Sequence, residues 1–282
     1  MRMFNLFKRD IKEGILKNVR IIFIPVLFWI ICRDLTEMLQ NIGGGVQASF
    51  AEYVLYCFAG ADPIQFTHQF DNIPILWLSV PILSCYVSFD YMRRDISSVG
   101  QQTILRAGSR EAWWLGKCVW TLCSTVICYV LALLTILVYC LLQGGEISMR
   151  CGGEVTLGIV SSGCFYLNDN LSLSNWQVTE CVFLLPFAVL AALNMLGMLL
   201  SLIFKSTVSF ILMSTYIFIA IYFINPLVIG SFGMIKNCSI FVKGGFDIDT
   251  AFVGCLLTIF ASAAVGLLVF QKYNILQERS DE

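Results

Sequence analysis

The sequence predicts an all-α membrane protein with six transmembrane helices. An amphipathic helix precedes the first span, and a short cytoplasmic helix joins the second to the third. Three observations predict this. Apolar residues make up 58% of the 282 positions and charged residues 13%, with a mean hydropathy of +0.79; soluble domains are nearer half apolar and a quarter charged. Six segments approach the roughly 20 apolar residues that a helix needs to cross the hydrocarbon. Lys and Arg also fall overwhelmingly on alternate connections, which fixes an orientation.

The elements follow in order. Residues 1–19 carry Phe4, Phe7, Ile11 and Ile15 at helical spacing, with Lys8, Arg9, Lys12 and Lys17 mostly on other faces. That pattern suits a helix lying on the inner membrane surface. Span 1 covers 20–39 and is the weakest, because its apolar run stops at Arg33 and Asp34. The outer loop 40–72 contains a glycine triplet and the stretch "FAEYVLYCFAG", which is too short to span and reads as an interfacial or re-entrant helix. Span 2 covers 73–90, a cytoplasmic segment follows over 91–112, and span 3 covers 113–142, long enough to protrude or tilt. A second outer loop, 143–178, is rich in Gly, Ser and Asn. Spans 4, 5 and 6 cover 179–204, 208–229 and 250–270, separated by a very tight turn and by the outer loop 230–249; the tail is 271–282. Pro25, Pro81, Pro186 and Pro226 lie inside spans, where membrane helices tolerate them.

With the N-terminus inside, the cytoplasmic segments hold fourteen of the eighteen Lys and Arg. The outer loops hold Arg150, Lys236 and Lys243, and Arg33 lies within span 1. Both termini are therefore expected in the cytoplasm of a multi-pass cell-membrane protein.

Several function classes are excluded or poorly supported. His68 is the one histidine, no G-x-S-x-G-like serine setting accompanies it, and H-E-x-x-H and P-loop motifs are missing. Intramembrane proteolysis, zinc chemistry and ATP binding by a P-loop within this chain therefore lack their residues, and no catalytic or metal-ligating set is expected. No basic face with interleaved aromatics suggests nucleic acid. Of the twelve cysteines, Cys85, Cys118, Cys123, Cys128 and Cys255 fall in spans, where a thiol acts as a small hydrophobe. Cys151, Cys164 and Cys238 lie in loops, open either to pairing with one another or to remaining free thiols.

Polar groups within spans are the remaining candidates. Arg33, Asp34 and Glu37 sit about 20 Å along a helix from Arg20 and either line a path or gate or form a local Arg33–Glu37 pair that reaches water. Asn194 and Asn225, in spans 4 and 5, either line a path or bond a neighbouring helix. Small residues in "NMLGMLLS" and "ASAAVG" fit close helix packing.

The least membrane-like stretch is "SSVGQQTILRAGSREAWWLGK", residues 97–117. Asp95, Ser97 or Ser98 suits the N-cap of a short helix running to Arg106, with Gly108 as its stop. Ser109 then caps span 3, Glu111 complements its dipole, Trp113 and Trp114 are expected at headgroup level, and Lys117 is expected to snorkel to the cytoplasm. The short helix is either an ordinary loop or a docking element.

A basic amphipathic helix ("FNLFKRDIKEGILKN"), six spans, the cytoplasmic helix in "RRDISSVGQQTILRAGSREAWWLGK" and the tight "FKST" turn together resemble the permease subunit of an ABC-2-type ABC transporter. The resemblance implies that residues 1–19 are the connecting helix. It also implies that Ser97, Ser98, Gly100, Gln101, Gln102, Thr103 and Arg106 belong to a coupling helix seated on a separate ATPase subunit. ATP and Mg would be bound by that partner, and two permease and two ATPase subunits would form the transporter. Export of a small amphipathic molecule, such as a toxin or antimicrobial peptide or a drug, follows by analogy. The resemblance is loosest in the long 40–72 loop and the short 230–249 connection. The competing readings are a secondary transporter or channel-like protein, and a non-transporting membrane immunity or accessory protein.

Overall fold

A computed structural model of the chain describes residues 13–14, 18–42, 47–61, 74–98, 110–151, 154–161, 173–223, 225, 228–242 and 244–272. These form helices and short turns, with one isolated bridge between Cys238 and Phe246. The expected amphipathic helix over 1–19 lies largely outside the described residues. Within it, Gly14 packs on the ring of Trp120 so closely that a Cβ there would sit 2.7 Å from it.

α1 (Phe23–Ile42) follows a 3-10 turn at Val19–Ile22, which the Asn18 side chain caps by accepting from the Arg20 N–H. Ile24, Phe28, Ile31, Cys32 and Leu35 recur at helical spacing and are buried. Phe23, Val26, Trp29 and Ile30, on the other face, are exposed. An outward face as apolar as the inward one suits lipid and is costly in water.

α2 (Phe50–Phe58) is the "FAEYVLYCF" stretch. A capping box starts it: Ser49 accepts from the Glu52 N–H, and the Glu52 carboxylate accepts from the Ser49 N–H. Eight of its nine residues are buried, so it is enclosed by protein and does not lie along an interface. Loop carbonyls take its orphan amides, with Phe50 N–H donating to Glu146 (3.1 Å) and Ala51 N–H to Ser148 (3.3 Å).

α3 (Ile75–Ser98) continues through Ser97 and Ser98. Neither serine begins a new helix, because the helical backbone of span 2 is not interrupted there; an N-cap needs a non-helical residue. α4 (Arg110–Leu142) has 33 residues, about 50 Å at 1.5 Å per residue against a hydrocarbon thickness of about 30 Å. The surplus fits the expected protrusion, and Glu111 stands in the first turn as predicted.

Within the second outer loop, α5 (Glu154–Ser161) buries Val155, Thr156, Ile159 and Val160, a short helix the sequence pattern did not reveal. α6 (Asn175–Ile203) begins four residues before the expected span, after a Ser174–Gln177 capping box. A π turn over Thr179–Leu184 precedes Pro186. Proline lacks the N–H an α-helix needs and crowds the preceding turn, and the wider turn accommodates both. The Tyr129 hydroxyl donates to the carbonyl of Phe183 in that turn at 2.7 Å.

The tight turn is as expected: α6 ends at Ile203 and α7 (Ser206–Tyr222) starts three residues on, with Ser209 Oγ donating back to the Leu200 carbonyl at 2.9 Å. α7 is shorter than the expected 208–229. It stops before Asn225, the residue preceding Pro226, where helical backbone is disfavoured. Two 3-10 turns, Ile229–Gly233 and Ile235–Asn237, follow in buried surroundings. α8 (Ile248–Lys272) closes the chain.

α6 packs along α8 and also contacts α3, α4 and α7. Neighbouring ends group together. Asn18 Nδ2 donates to the Val87 carbonyl (3.1 Å), and the Arg20 guanidinium lies 4.5 Å from the Tyr86 ring centre. The start of α4 meets the end of α8 through Arg110 and Gln271. The other end of α4, opposite this basic end, lies beside α2, where Phe50 N–H meets the Glu146 carbonyl, Ser49 Oγ meets the Arg150 carbonyl and Lys236 N–H meets the Ala59 carbonyl, so acids and bases both occur there. α4, α6 and α8 are long and apolar enough to cross a membrane, while α3 and α7 contribute shorter apolar stretches, Ile75–Ser88 and Ser206–Tyr222.

Candidate functional site

The polar residues singled out in the sequence separate into three places, and the structure does not bring them together. The deepest is Asn194 on α6, 1% exposed. Its Nδ2 donates to Ser84 Oγ of α3 (2.8 Å) and Thr125 Oγ1 of α4 (2.9 Å); Thr125 in turn donates to the Thr121 carbonyl at 2.9 Å. One amide thus ties three helices inside the apolar bundle. Such interhelical bonds contribute about 0.6 to 2 kcal/mol each in membrane proteins. Among the described residues, Asn194 Oδ1 has no hydrogen-bond partner. Beside the node, a cavity of about 20 Å³ is lined by Ser84, Thr125, Cys128 and Tyr129, among apolar neighbours; that is room for about one water.

The second place is the C-terminal half of α1. Arg33 donates to Glu37 Oε1 at 2.6 Å, one turn on, and both side chains are exposed, 72% and 56%. The local pair is therefore formed. Asp34 accepts a hydrogen bond from the Tyr56 hydroxyl of α2. Burial, then this carboxylate, pushes the Tyr56 phenol well above its ordinary pKa. On the inner face, Thr36 Oγ1 lies 3.0 Å from the Tyr53 hydroxyl and accepts from Tyr139 at 3.2 Å. Two open cavities flank this arrangement. One, about 410 Å³, is lined by Ile31, Met38, Tyr56, Trp77 and Lys236 among others. The other, about 330 Å³, is lined by Thr36, Gln40, Gln47, Tyr53 and Gln143 among others. Arg33, Asp34 and Glu37 are not among the residues lining either one. Asn225 is not within a span: it is exposed beyond the end of α7, with its carbonyl accepting from the Val228 N–H at 2.8 Å.

The third place is the basic end. Ser97 and Ser98 form the last turn of α3, while Gly100, Gln101, Gln102, Thr103 and Arg106 lie outside the described residues. Immediately after that segment, α4 is clamped to α8. Arg110 Nη1 donates to the Gln271 carbonyl (2.9 Å), and Gln271 Nε2 donates to Glu111 Oε1 (2.9 Å). Trp113 stacks on Phe270, with centroids 4.8 Å apart and planes at 20°. Trp114 Nε1 donates to the Ala263 carbonyl at 2.8 Å. Trp113, Trp114 and Lys117 are at most 3% exposed. The expectation of a snorkelling lysine is corrected: Lys117 is buried, its ammonium 5.3 Å from the Trp113 ring centre in a cation–π contact, while the two indoles pack against α6 and α8.

Sequence reasoning passed over several of these groups. Glu52 is 5% exposed and accepts from Thr156 Oγ1 at 2.8 Å as well as capping α2. The Ser49-x-x-Glu52 spacing was its readable signal. Cys151 and Cys238 are both free thiols, and the thiol beside Cys238 belongs to Cys181, which an apolar-run reading places inside a span. Cys164 lies outside the described residues. Asn237, in an N-x-S triplet, is 2% exposed and so is no surface acceptor. Among the described residues no three His, Cys, Asp or Glu are grouped to hold a metal.

A helical bundle with apolar outward faces, three helices long enough to cross a bilayer and a neutral polar node inside defines the class. Within that class, the chain belongs to a family described as protein of unknown function (DUF2705), whose family model matches residues 22–276. Comparison with curated proteins and with solved structures gave no match.

Proposed function

We propose that this chain is the membrane-spanning permease subunit of an ATP-driven exporter of the ABC-2 type, powered by a separate ATPase. In this reading α1, α3, α4, α6, α7 and α8 are the six spans. α4, α6 and α8 have the length and apolarity that spanning requires, and the reading adds α1 and the shorter apolar stretches of α3 and α7. The basic end faces the cytoplasm, as the Lys and Arg distribution favours.

One observation carries the proposal. The segment between Ser98 and Arg110 is followed at once by the Arg110–Gln271–Glu111 contacts and the Trp113–Phe270 stack. A push on that segment from a docked ATPase would be delivered directly to the α4–α8 pair and thence to α6. The neutral amide at the Asn194 node supports ATP over ion coupling, which uses ionisable groups near the midplane. The substrate class, a small amphipathic molecule, fits the mixed apolar and polar linings of the two open cavities.

The test is co-expression and co-purification with candidate ATP-binding-cassette ATPases. Gly100→Trp or Thr103→Arg should abolish retention of the ATPase while the permease still elutes as a single folded species. Retention unchanged by both substitutions would refute the docking role.

A further inference from the structure

α1, α2, the start of α3, α5 and the second 3-10 turn all contribute to the wall of the larger cavity, of about 410 Å³. That volume falls within the range of about 300 to 1,000 Å³ typical of small-molecule sites. The segments around it are locked together. Lys236 N–H donates to the Ala59 carbonyl at 3.1 Å, and Trp77 Nε1 donates to the Gly233 carbonyl at 2.9 Å. Gly60 has a φ of +79°, and a Cβ there would meet the Met234 side chain, so glycine is what lets the chain leaving α2 pass this close. Ile31, Met38, Leu76 and Ile159 make the wall largely apolar, and Ile75, 72% exposed, carries that apolar lining out to the surface of the protein. Among the described lining residues, Lys236 is the one that carries a charge, and it is only 8% exposed. A buried ammonium is costly unless anions or acceptors meet it. Lys236 has contacts within the protein, but an ammonium carries several donors and can serve a ligand beside them. The Trp77 N–H is committed to Gly233 and the Tyr56 hydroxyl to Asp34, whose carboxylate does not line the cavity. An apolar hollow open at one apolar edge, with a single cation in its wall, matches a hydrocarbon tail bearing one anionic head.

We propose that this cavity binds an anionic amphiphile, with its hydrocarbon tail against Ile75, Leu76 and Trp77 and its phosphate or carboxylate on Lys236. A phospholipid headgroup and a free fatty acid share that chemistry, and a charge-assisted hydrogen bond from the ammonium serves either. The binding itself requires no transport and no particular orientation of the chain. As a statement about the exported molecule, it rests on the export reading above.

The experiment titrates the purified full-length chain, in a neutral detergent and without any ATPase, with dibrominated phosphatidylglycerol, phosphatidylcholine or stearic acid. Bromine quenches tryptophan fluorescence on contact, and the Trp77 share is the difference between wild type and Trp77→Phe. Quenching of Trp77 by phosphatidylglycerol or stearate, and not by phosphatidylcholine, is expected. Phosphatidylglycerol alone assigns the headgroup phosphate, and stearate alone assigns the free carboxylate. Lys236→Gln should weaken anion binding about tenfold, the loss of one hydrogen bond to a charged group, and Lys236→Arg should restore most of it. Equal quenching of the wild type by every probe overturns the proposal, as does quenching with no Trp77 share or unchanged affinity in a folded Lys236→Gln. Because Trp77→Phe gives up the bond to Gly233, native mass spectrometry of the wild type reads the same preference for anions with no substitution at all. Anion binding without ATPase retention in the co-purification above would overturn the export reading and leave this site standing. ATPase retention without anion binding would do the reverse.

Discussion

Trp114 of α4 lies directly on Gly266 of α8, leaving no space for even a methyl group at that glycine. The same indole donates to the Ala263 carbonyl one turn earlier, so the ring is held flat against a patch of small residues. The contact joins the start of one long helix to the last turns of another, beside the segment expected to meet the ATPase.

Gly266→Ala should therefore destabilise the protein, and Gly266→Leu should do so more strongly. Overpacking of this kind typically costs about 1 to 3 kcal/mol. Trp114→Phe keeps most of the ring but loses the hydrogen bond to Ala263, worth about 1 kcal/mol. Thermal melting followed by size-exclusion chromatography of the detergent-solubilised chain checks both. An unchanged melting temperature for Gly266→Leu would mean that the two helices are not this close.

Glu52 supports α2 in two ways, capping its first turn and accepting from Thr156 of α5. Glu52→Ala removes both and strands a buried hydroxyl, a loss of about 1 to 3 kcal/mol. Glu52→Gln keeps an acceptor oxygen at the same reach and should be milder, and Thr156→Val should cost less than Glu52→Ala. Melting of the three variants gives the order directly.

What was legible in the sequence follows the physics of its signals. The long apolar runs gave α4, α6 and α8, because spanning length is a property of the chain itself. The "FKST" turn was legible because two apolar runs meet with no residues to spare. The Arg33–Glu37 pair could be read from i,i+4 spacing, which needs no tertiary information. The end of α7 was misplaced because Pro226 is tolerable in principle inside a membrane helix, and tertiary packing of the following turns decides where the helix stops. Lys117 was expected to snorkel to the cytoplasm because lysines near helix ends usually do; only the tertiary contacts, with Trp114 on Gly266 and Trp113 on Phe270, reveal how closely α8 covers this end of α4. The Cys181–Cys238 and Glu52–Thr156 contacts join distant segments, and no local pattern announces them.

The Asn194 node separates a structural role from a transport role. Asn194→Leu fills a similar volume but removes both interhelical bonds, leaving the Ser84 and Thr125 hydroxyls with one partner fewer. A loss of about 1 to 2 kcal/mol is expected, together with export comparable to wild type once expression is matched. If Asn194→Leu melts like wild type yet abolishes export of the cognate substrate, the amide acts on the path and not on packing.

The clamp at the basic end gives the sharpest test of how ATP hydrolysis would be felt. Gln271 contributes its carbonyl to Arg110 and its side-chain amide to Glu111, and all three residues are exposed, so their contribution to stability is small. Their geometric role is larger, since they fix the first turn of α4 against the last turn of α8. Gln271→Leu should therefore leave melting and ATPase retention close to wild type while reducing transport-coupled ATP hydrolysis several-fold. Restoring a donor with Gln271→Asn should recover part of the loss. Hydrolysis by the reconstituted complex, measured with and without substrate, distinguishes the outcomes. If Gln271→Leu retains full substrate stimulation, force from the ATPase does not travel through this clamp, and the α4–α8 contact serves packing alone.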